Sequence, residues 1–555
     1  MRSRAVVVAS VLGASLVSGG WLMQRGFSAG GASAFERARL FDDVMRHVKV
    51  NYVDTVSEAA LYEKAVQGML HQLHDPHSTF LEPQRLARLT EQTTGRYAGV
   101  GIQIDVRDVG VVVIAPLPGT PAEEAGIQTG DRIVLIDHRT TAGLTSEEAL
   151  KLLRGPAGSK VSLGVERPGV GERLAFTVTR REIQVHSVQH AVTLRDGVGY
   201  VDLTAFAEDS YDDLRRSIDS LRRSGARSLI LDLRSNPGGL LEQGVAVSDM
   251  FLDEGQKIVS TRGRTREADA EFSDRAPQLF PGLPLVVLVD SGSASASEIV
   301  AGALQDHDRA VLVGTTTYGK GSAQSLFPMQ GGAALKLTTA LWYTPSGRSI
   351  NRGRSHPTGD EDEDEDSPFI VADTSKPRPK FETDAGRTVL GGGGIAPDLE
   401  VGDLPLGARE REFEQALGKK VPQFRDALSA YALSLKAQRA VQTPQFSVTP
   451  AMLAGLFAEM QRRGVEVDRA TYDAVSPLVS RLLGYQVTQF AFGRQAEFVR
   501  RATDDPALQA AIDLLAGAKD EAELFERAKK AAEQKAAKKT AAATWRPRDG
   551  QGILG

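Results

Sequence analysis

The chain alternates two kinds of hydrophobic pattern. Val198–Leu203, Ser228–Leu233, Pro284–Asp290 and Ala310–Val313 are short, largely apolar runs that read as strands, Ser228–Leu233 and Pro284–Asp290 as buried ones. Between them lie segments with helical spacing. Ser210–Ser224 is amphipathic, Leu240–Leu252 reads as a helix, and after Ser297 the residues Ile299, Val300, Ala303 and Leu304 share one face. Strands alternating with helices predict a mostly parallel layer whose functional sites lie beyond the carboxyl ends of its strands. Two turns fall at such ends: Arg234-Ser-Asn-Pro-Gly-Gly239 and the small-residue stretch Ser291–Ser297.

Other regions carry different periods. In Tyr97–Ile183, Ile102–Val106 alternates apolar and polar and Val111–Ala115 is a continuous apolar run. Pro121–Ala125 reads as a short helix stopped by Gly126, Thr145–Leu153 as a second helix, and Arg132–Ile136, Lys160–Glu166 and Leu174–Thr179 as strands. Upstream, Phe35–Thr93 reads as helical, with one stripe at Phe41, Val44, Met45, Val48 and Val50 and another over Leu61–Leu73. Asp75-Pro-His-Ser-Thr79 interrupts it, and His74 and His77, beside this break, read as structural. Beyond Leu406 strand signals vanish. Thr449-Pro450 and Asp505-Pro506 open helices, Gly464 closes one, and Lys519–Lys539 is a charged, alanine-rich helix.

Composition removes whole classes of function. With 66 basic against 71 acidic residues in 555, no nucleic-acid partner is expected. The absence of cysteine excludes disulfides, thiol catalysis and cysteine metal sites. The nine histidines show no H-E-x-x-H spacing, so neither a metal nor a cofactor is expected. The acidic run Gly359–Asp366 lacks the glycine and terminal glutamate of a calcium loop and reads as a solvated insertion. At the N-terminus Arg2 and Arg4 precede the apolar stretch Ala5–Met23, the form of an export signal, with Ala32-Ser-Ala34 as a cleavage site. About 20 apolar residues also span a bilayer, so an uncleaved anchor, and with it membrane association, stays open. Either way the body is expected outside the cytoplasm, periplasmic or held at the membrane.

The chemistry gathers in Ser291–Gln324. Ser295 falls where strand gives way to helix, so backbone N–H groups of the first helical turn face its reaction centre. Ser295-Ala-Ser-Glu298 also fits a capping box, in which the serine only caps. Lys320 is flanked by Gly319 and Gly321 in a loop almost free of other charge; desolvating a lysine there would make it a general base. Gln324, four residues on, has an amide able to hold the amine. The order SASASE, then lysine, then glutamine resembles the carboxyl-terminal processing peptidases, or tail-specific proteases. That resemblance implies Ser295 as nucleophile, Lys320 as base and Gln324 as the residue that orients the lysine, with Ser293 and Ser297 as decoys. It implies an oxyanion hole from the backbone N–H groups of Gly238 and Ala296. The same family carries elements similar to Asp75-Pro-His-Ser78, Thr344-Pro-Ser-Gly-Arg348 and Gly394-Ile-Ala-Pro-Asp398.

Thr120-Pro-Ala-Glu-Glu-Ala-Gly126, Gly130-Asp-Arg-Ile-Val134 and the following helix resemble a PDZ domain in order and spacing. The resemblance makes Gly99, Val100, Gly101 and Ile102 the loop that receives a peptide carboxylate, with the peptide adding as a strand beside Ile102–Ile104. The expected architecture is α/β and multidomain, with a crotonase-like protease core. Residues 1–34 are the signal or anchor, 35–95 an N-terminal helical segment, 96–184 an inserted β-rich PDZ-like domain, 185–405 the core with an acidic loop at 353–380, and 406–555 an all-α extension. The expected activity is that of an exported serine endopeptidase, acting on proteins or peptides with free C-termini. The rivals are a catalytically silent PDZ-type scaffold and, more weakly, a crotonase-like acyl-CoA enzyme. The family-like part ends near Asp398, so the extension is expected to govern assembly, including homo-oligomerisation, or access. A chain ending near residue 405 is then expected to keep cleaving a short peptide.

Overall fold

The computed structural model describes residues 34–107, 110–168, 170–352, 377–402 and 405–544. The export stretch and the acidic run Gly359–Asp366 lie outside the described residues. The chain divides into two compact units, residues 1–84 with 324–338, and residues 85–323 with 339–555.

In the smaller unit two helices, Ala34–Asn51 and Glu58–His71, meet at Phe41 and Tyr62, whose ring centroids are 6.1 Å apart. The expected helical run is broken by a short strand, Thr79–Leu81, paired antiparallel with Ala334–Lys336. The Asp75 carboxylate holds the intervening turn by accepting the His77 N–H and the Ser78 hydroxyl. Phe41, Val44 and Val50 of the predicted stripe are exposed.

In the larger unit the PDZ-like domain is a sheet ordered β1 (Ile102–Arg107), β2 (Gly110–Pro116), β3 (Arg132–Ile136), β4 (Lys160–Glu166), β5 (Leu174–Thr179). Alternation places Val111, Val113, Ile133, Val161, Leu163 and Val165 in its core. Helix α1 (Ser146–Leu153), with a complete capping box from Thr145 and Glu148, lies against β1, which is the edge strand.

The core sheet has the order β6 (Ala191–Thr193), β7 (Val198–Asp202), β8 (Ser228–Asp232), β9 (Leu285–Val289), β10 (Val311–Gly314), β11 (Leu399–Glu400). It is parallel from β7 to β11, and only β6 runs the other way. Strands in sequence order joined by crossovers of one hand send every connecting helix to one face. Accordingly α2 (Ser210–Arg223), α3 (Leu241–Asp249) and α4 (Ala296–Asp306) share one core with Leu229, Leu231, Val287, Val289 and Leu312.

The opposite face would be bare, and the extension covers it. Ile230, Val286, Leu288, Val311 and Val313 are fully buried beneath α5 (Pro506–Leu515) and α6 (Glu521–Thr544). Residues 406–555 are therefore not one appendage. Ala408–Leu417, Val421–Ala437, Pro450–Arg462, Arg469–Ala474 and Ser476–Phe492 form a bundle around Phe424, Leu456, Met460, Tyr472 and Leu483, whereas α5 and α6 complete the core sheet. The extension also meets the PDZ-like domain. A Cβ on Gly130 would lie 2.4 Å from Leu433 Cδ2, and Arg494 Nη1 donates to Gln103 Oε1 on β1 at 3.0 Å.

This corrects the expectation that a chain ending near residue 405 keeps its activity. Each of those five side chains contributes about 1.5–3 kcal/mol by burial, so uncovering them removes on the order of 10 kcal/mol, comparable with a domain's net stability of about 5–15 kcal/mol. A chain ending at residue 405 is expected to be insoluble or to bind a hydrophobic dye without a cooperative melting transition. A cooperative transition at the full-length temperature would contradict this packing.

Candidate active site

The two turns predicted at the strand ends are stitched into one structure. Beyond β9, Asp290 Oδ1 accepts the N–H groups of Ser235, Gly292 and Ser293 at 2.8, 2.9 and 3.0 Å. Asn236, fully buried, gives its carbonyl to the Ala294 N–H at 3.0 Å and to the Ser297 hydroxyl at 2.9 Å, and its Nδ2 donates to the Leu203 carbonyl. The turns close against each other at Gly238. A Cβ there would stand 2.6 Å from the Ala294 carbonyl oxygen, 2.8 Å from Ser295 Cβ and 2.9 Å from the Ala296 nitrogen, so only glycine fits. Next to it, Gly239 is pressed on Phe206, whose carbonyl oxygen would be 2.1 Å from a Cβ.

Of the three candidate serines, two are spent. The Ser293 hydroxyl donates to the Leu233 carbonyl and accepts the Asp290 N–H; the Ser297 hydroxyl is committed to Asn236; both residues are fully buried. Ser295 is half-buried and has φ +56° and ψ −113°, a left-handed backbone that costs a non-glycine residue about 1–3 kcal/mol. Its hydroxyl is not used as a cap: the Glu298 N–H goes to the Ser295 carbonyl instead. The capping box is thus half formed, through the Ser295 N–H on the Glu298 carboxylate at 2.9 Å.

That carboxylate does more than the sequence pattern indicates. Glu298 is fully buried. Its Oε1 accepts the Thr317 hydroxyl at 2.6 Å and the Gly319 N–H at 2.7 Å, and its Oε2 accepts the Lys320 N–H at 2.9 Å beside the Ser295 N–H. The backbone nitrogens of Ser295 and Lys320 are therefore no more than twice 2.9 Å apart. Burial pushes the Glu298 carboxyl up, against the pull of these four donors. The lysine loop is tied down elsewhere too: Tyr318 N–H donates to the Ser293 carbonyl, Trp342 Nε1 to the Lys320 carbonyl, and Ile395 N–H to the Thr317 hydroxyl.

The structure thus assembles Ser295, Ala296, Gly238 and Lys320 in the larger unit. The Gly238 N–H donates to Asn236 Oδ1 at 2.9 Å, so one of the two expected oxyanion donors is occupied in this conformation. Gln324 belongs to the smaller unit, where its Nε2 donates to Thr338 Oγ1 at 3.3 Å and Thr338 N–H donates to Ser78 Oγ. Asp290, Asn236 and Thr317 were not singled out from sequence, and Glu298 only as a cap partner. The Asp290-Ser-Gly-Ser turn has an aspartate signal, but the reach of Glu298 to residues 317–320 has none.

At the predicted carboxylate loop, Ala122 N–H donates to the Val100 carbonyl, while Leu117 N–H and the Thr120 hydroxyl donate to that of Gly101. A trans peptide points its N–H opposite its C=O, so the N–H groups of Gly101 and Ile102 turn away from residues 117–122. Gly101 has φ +79°, and a Cβ there would lie 2.3 Å from Thr120 Cβ.

A core sheet with a strained serine turn and a lysine loop on one buried carboxylate, joined to a PDZ-like domain, defines a class of serine-type peptidase. Family models agree: peptidase family S41 matches residues 197–358, the PDZ domain residues 112–167, and the activating protease CtpB N-terminal domain residues 28–84. A carboxy-terminal-processing protease of Bartonella bacilliformis is 40% identical over 57% of this chain and 73% of its own. The carboxy-terminal processing protease CtpA of Bacillus subtilis is 32% identical over 62% and 73%. A carboxyl-terminal-processing protease of Picosynechococcus is 42% identical over 52% and 70%. The chain belongs to peptidase family S41, the carboxy-terminal processing proteases.

The role of Glu298 is open to a direct test. Glu298→Gln would turn an NH2 group towards two of the four donors, and each buried polar group left unsatisfied costs about 1–3 kcal/mol. The expected result is a lowered melting temperature together with slower labelling of Ser295 by a fluorophosphonate probe. A variant that melts and labels like the parent would show that the carboxylate does not organise the two segments.

Proposed function

We propose that this chain is an exported serine endopeptidase that holds the free C-terminal tails of unfolded or partly unstructured proteins in its PDZ domain and cuts them by a Ser–Lys mechanism. The observation that carries the reading is the shared Glu298 oxygen, which brings the backbones of Ser295 and Lys320 together without using either side chain. Lys320, as the free amine, accepts the Ser295 hydroxyl proton as the oxygen attacks the peptide carbonyl. The Ala296 N–H, at the first position of α4, holds the resulting oxyanion. Gly238 adds its N–H once it leaves Asn236. Collapse of the tetrahedral intermediate breaks the C–N bond, with the proton passing from Lys320 to the leaving amine. Water then hydrolyses the acyl-enzyme, with Lys320 again as base. Gln324 is assigned the orientation of the lysine.

Tail capture is supported by the edge position of β1, which leaves one side for an added strand, and by the common direction of the Gly101 and Ile102 N–H groups. The basic and apolar residues 2–23 support export.

Ser295→Ala and Lys320→Arg are each expected to remove cleavage of an unstructured protein, by at least about 100-fold for loss of a general base, with the melting temperature retained. Arginine is similarly long but stays protonated, so it cannot accept the proton. An active, folded Lys320→Arg variant would overturn the Ser–Lys assignment; a folded parent protein that shows neither turnover nor fluorophosphonate labelling of Ser295 would favour the scaffold reading. Amidation of a substrate peptide's C-terminus is expected to weaken its binding to the full-length Ser295→Ala protein. Equal affinities for the acid and the amide would remove the carboxylate role of Gly99–Ile102.

A further inference from the structure

Strand β8 ends at Asp232, and the next polar side chain is Arg234, the last residue before the Ser235–Gly239 turn. Asp232 is a buried acceptor: it takes the Tyr200 hydroxyl at 2.8 Å, the Arg234 backbone N–H at 2.9 Å and the Arg234 guanidinium through Nε and Nη2. The outer edge of the guanidinium goes elsewhere. Arg234 Nη1 donates to Asp505 Oδ1 at 3.1 Å, and Nη2 lies 2.8 Å from Asp505 Oδ2. The pair is largely screened from solvent, with side-chain exposures of 22% and 21%. Burial works against the charge on Arg234, but Asp232 and Asp505 together outweigh it and raise its pKa.

Asp505 is itself held from its own side. It is the N-cap of α5, its Oδ1 accepting the Leu508 N–H at 3.0 Å. The helix that follows buries Leu508, Ile512 and Leu515 on the core sheet. On the other side of Arg234, Ser235 has φ +55° and is clamped through its N–H and hydroxyl to Asp290, the residue that also holds Gly292 and Ser293. A strained residue thus sits between two anchors. If Arg234 shifts, Ser235 relaxes, and the displacement passes to Asn236 and to Gly238, which has no slack against Ser295 and Ala296.

We propose that Asp505, in the C-terminal extension, is a positioning residue of the peptidase reaction: through Arg234 it fixes the Ser235–Gly239 turn against the Ser295 turn. The inference rests on the Ser295 reading above. It makes the extension a part of the catalytic geometry.

The test is Asp505→Asn in the full-length protein. Asparagine caps a helix as well as aspartate does, so α5 keeps its N-cap while the charge on Arg234's outer edge is lost. Three quantities are measured: kcat and KM on a short peptide, and hydrogen exchange of the amides of Ser235, Asn236, Gly238 and Gly239. The expected result is a fall in kcat of about tenfold, a KM within about twofold, and faster exchange at those amides. Asp505→Glu, which keeps the charge, is expected to recover part of the kcat. Should Asp505→Asn melt at a much lower temperature, Asp505→Ser, another good cap, replaces it. Unchanged kcat overturns the proposal, and so does exchange as slow as in the parent. If Ser295→Ala cleaves as well as the parent, the peptidase reading fails instead, and the exchange measurement still decides whether Asp505 holds the turn.

Discussion

The Glu298 carboxylate is the constraint on which the site depends. A buried carboxylate is tolerable only when its lone pairs are filled, and here four donors fill them: the Ser295, Gly319 and Lys320 N–H groups and the Thr317 hydroxyl. Each oxygen takes two of the four, so a donor that moves leaves a lone pair unfilled in the interior. The left-handed backbone at Ser295 is held by the carboxylate that also holds the lysine loop, which couples the conformations of the two segments. Thr317 is in turn braced by Ile395, and Gly394 lies so close that a Cβ would stand 2.3 Å from the Thr317 carbonyl oxygen. The Gly-Ile-Ala-Pro-Asp element near the end of the core thus holds Thr317 through both its N–H and its hydroxyl.

A second constraint comes from topology. With strands β7 to β10 in sequence order, the connecting helices gather on one face and the other needs a cover. Helices α5 and α6 supply it, and the cap of α5 is the residue that pairs with Arg234. One packing requirement thereby brings a carboxylate from residue 505 to the root of the Asn-Pro-Gly-Gly turn. The bundle between residues 408 and 492 has its own core and bears on the PDZ domain instead.

The serines show how competition for hydrogen bonds assigns roles. Ser293 and Ser297 satisfy buried carbonyls and are structural, and Ser295 keeps its hydroxyl because the Glu298 N–H is taken by the Ser295 carbonyl. The same economy governs the PDZ loop, where committing two carbonyls to residues 117–122 aims two N–H groups the other way.

Much of the fold was legible because local pattern and tertiary environment agree. Continuous apolar runs became strands buried on both faces, alternation in Ile102–Val106 became the half-exposed edge of the PDZ domain, and Asp505-Pro506 capped a helix. The serine turn, the lysine loop and the glycine turn were legible as places because small and glycine-rich stretches follow apolar runs. Several things were not. The Ser-x-x-Glu pattern reports only contacts within one helical turn, so it showed Glu298 as a cap partner and hid its reach to residues 317–320. The single-sided placement of α2 to α4 follows from strand order, which no run of residues encodes, and so the extension read as separable. A short strand at Thr79–Leu81 was missed because its partner lies at residues 334–336. The resemblance pointed to Ser295 among three serines; what it could not supply is the physical difference between them, which lies in the buried carbonyls that Ser293 and Ser297 satisfy.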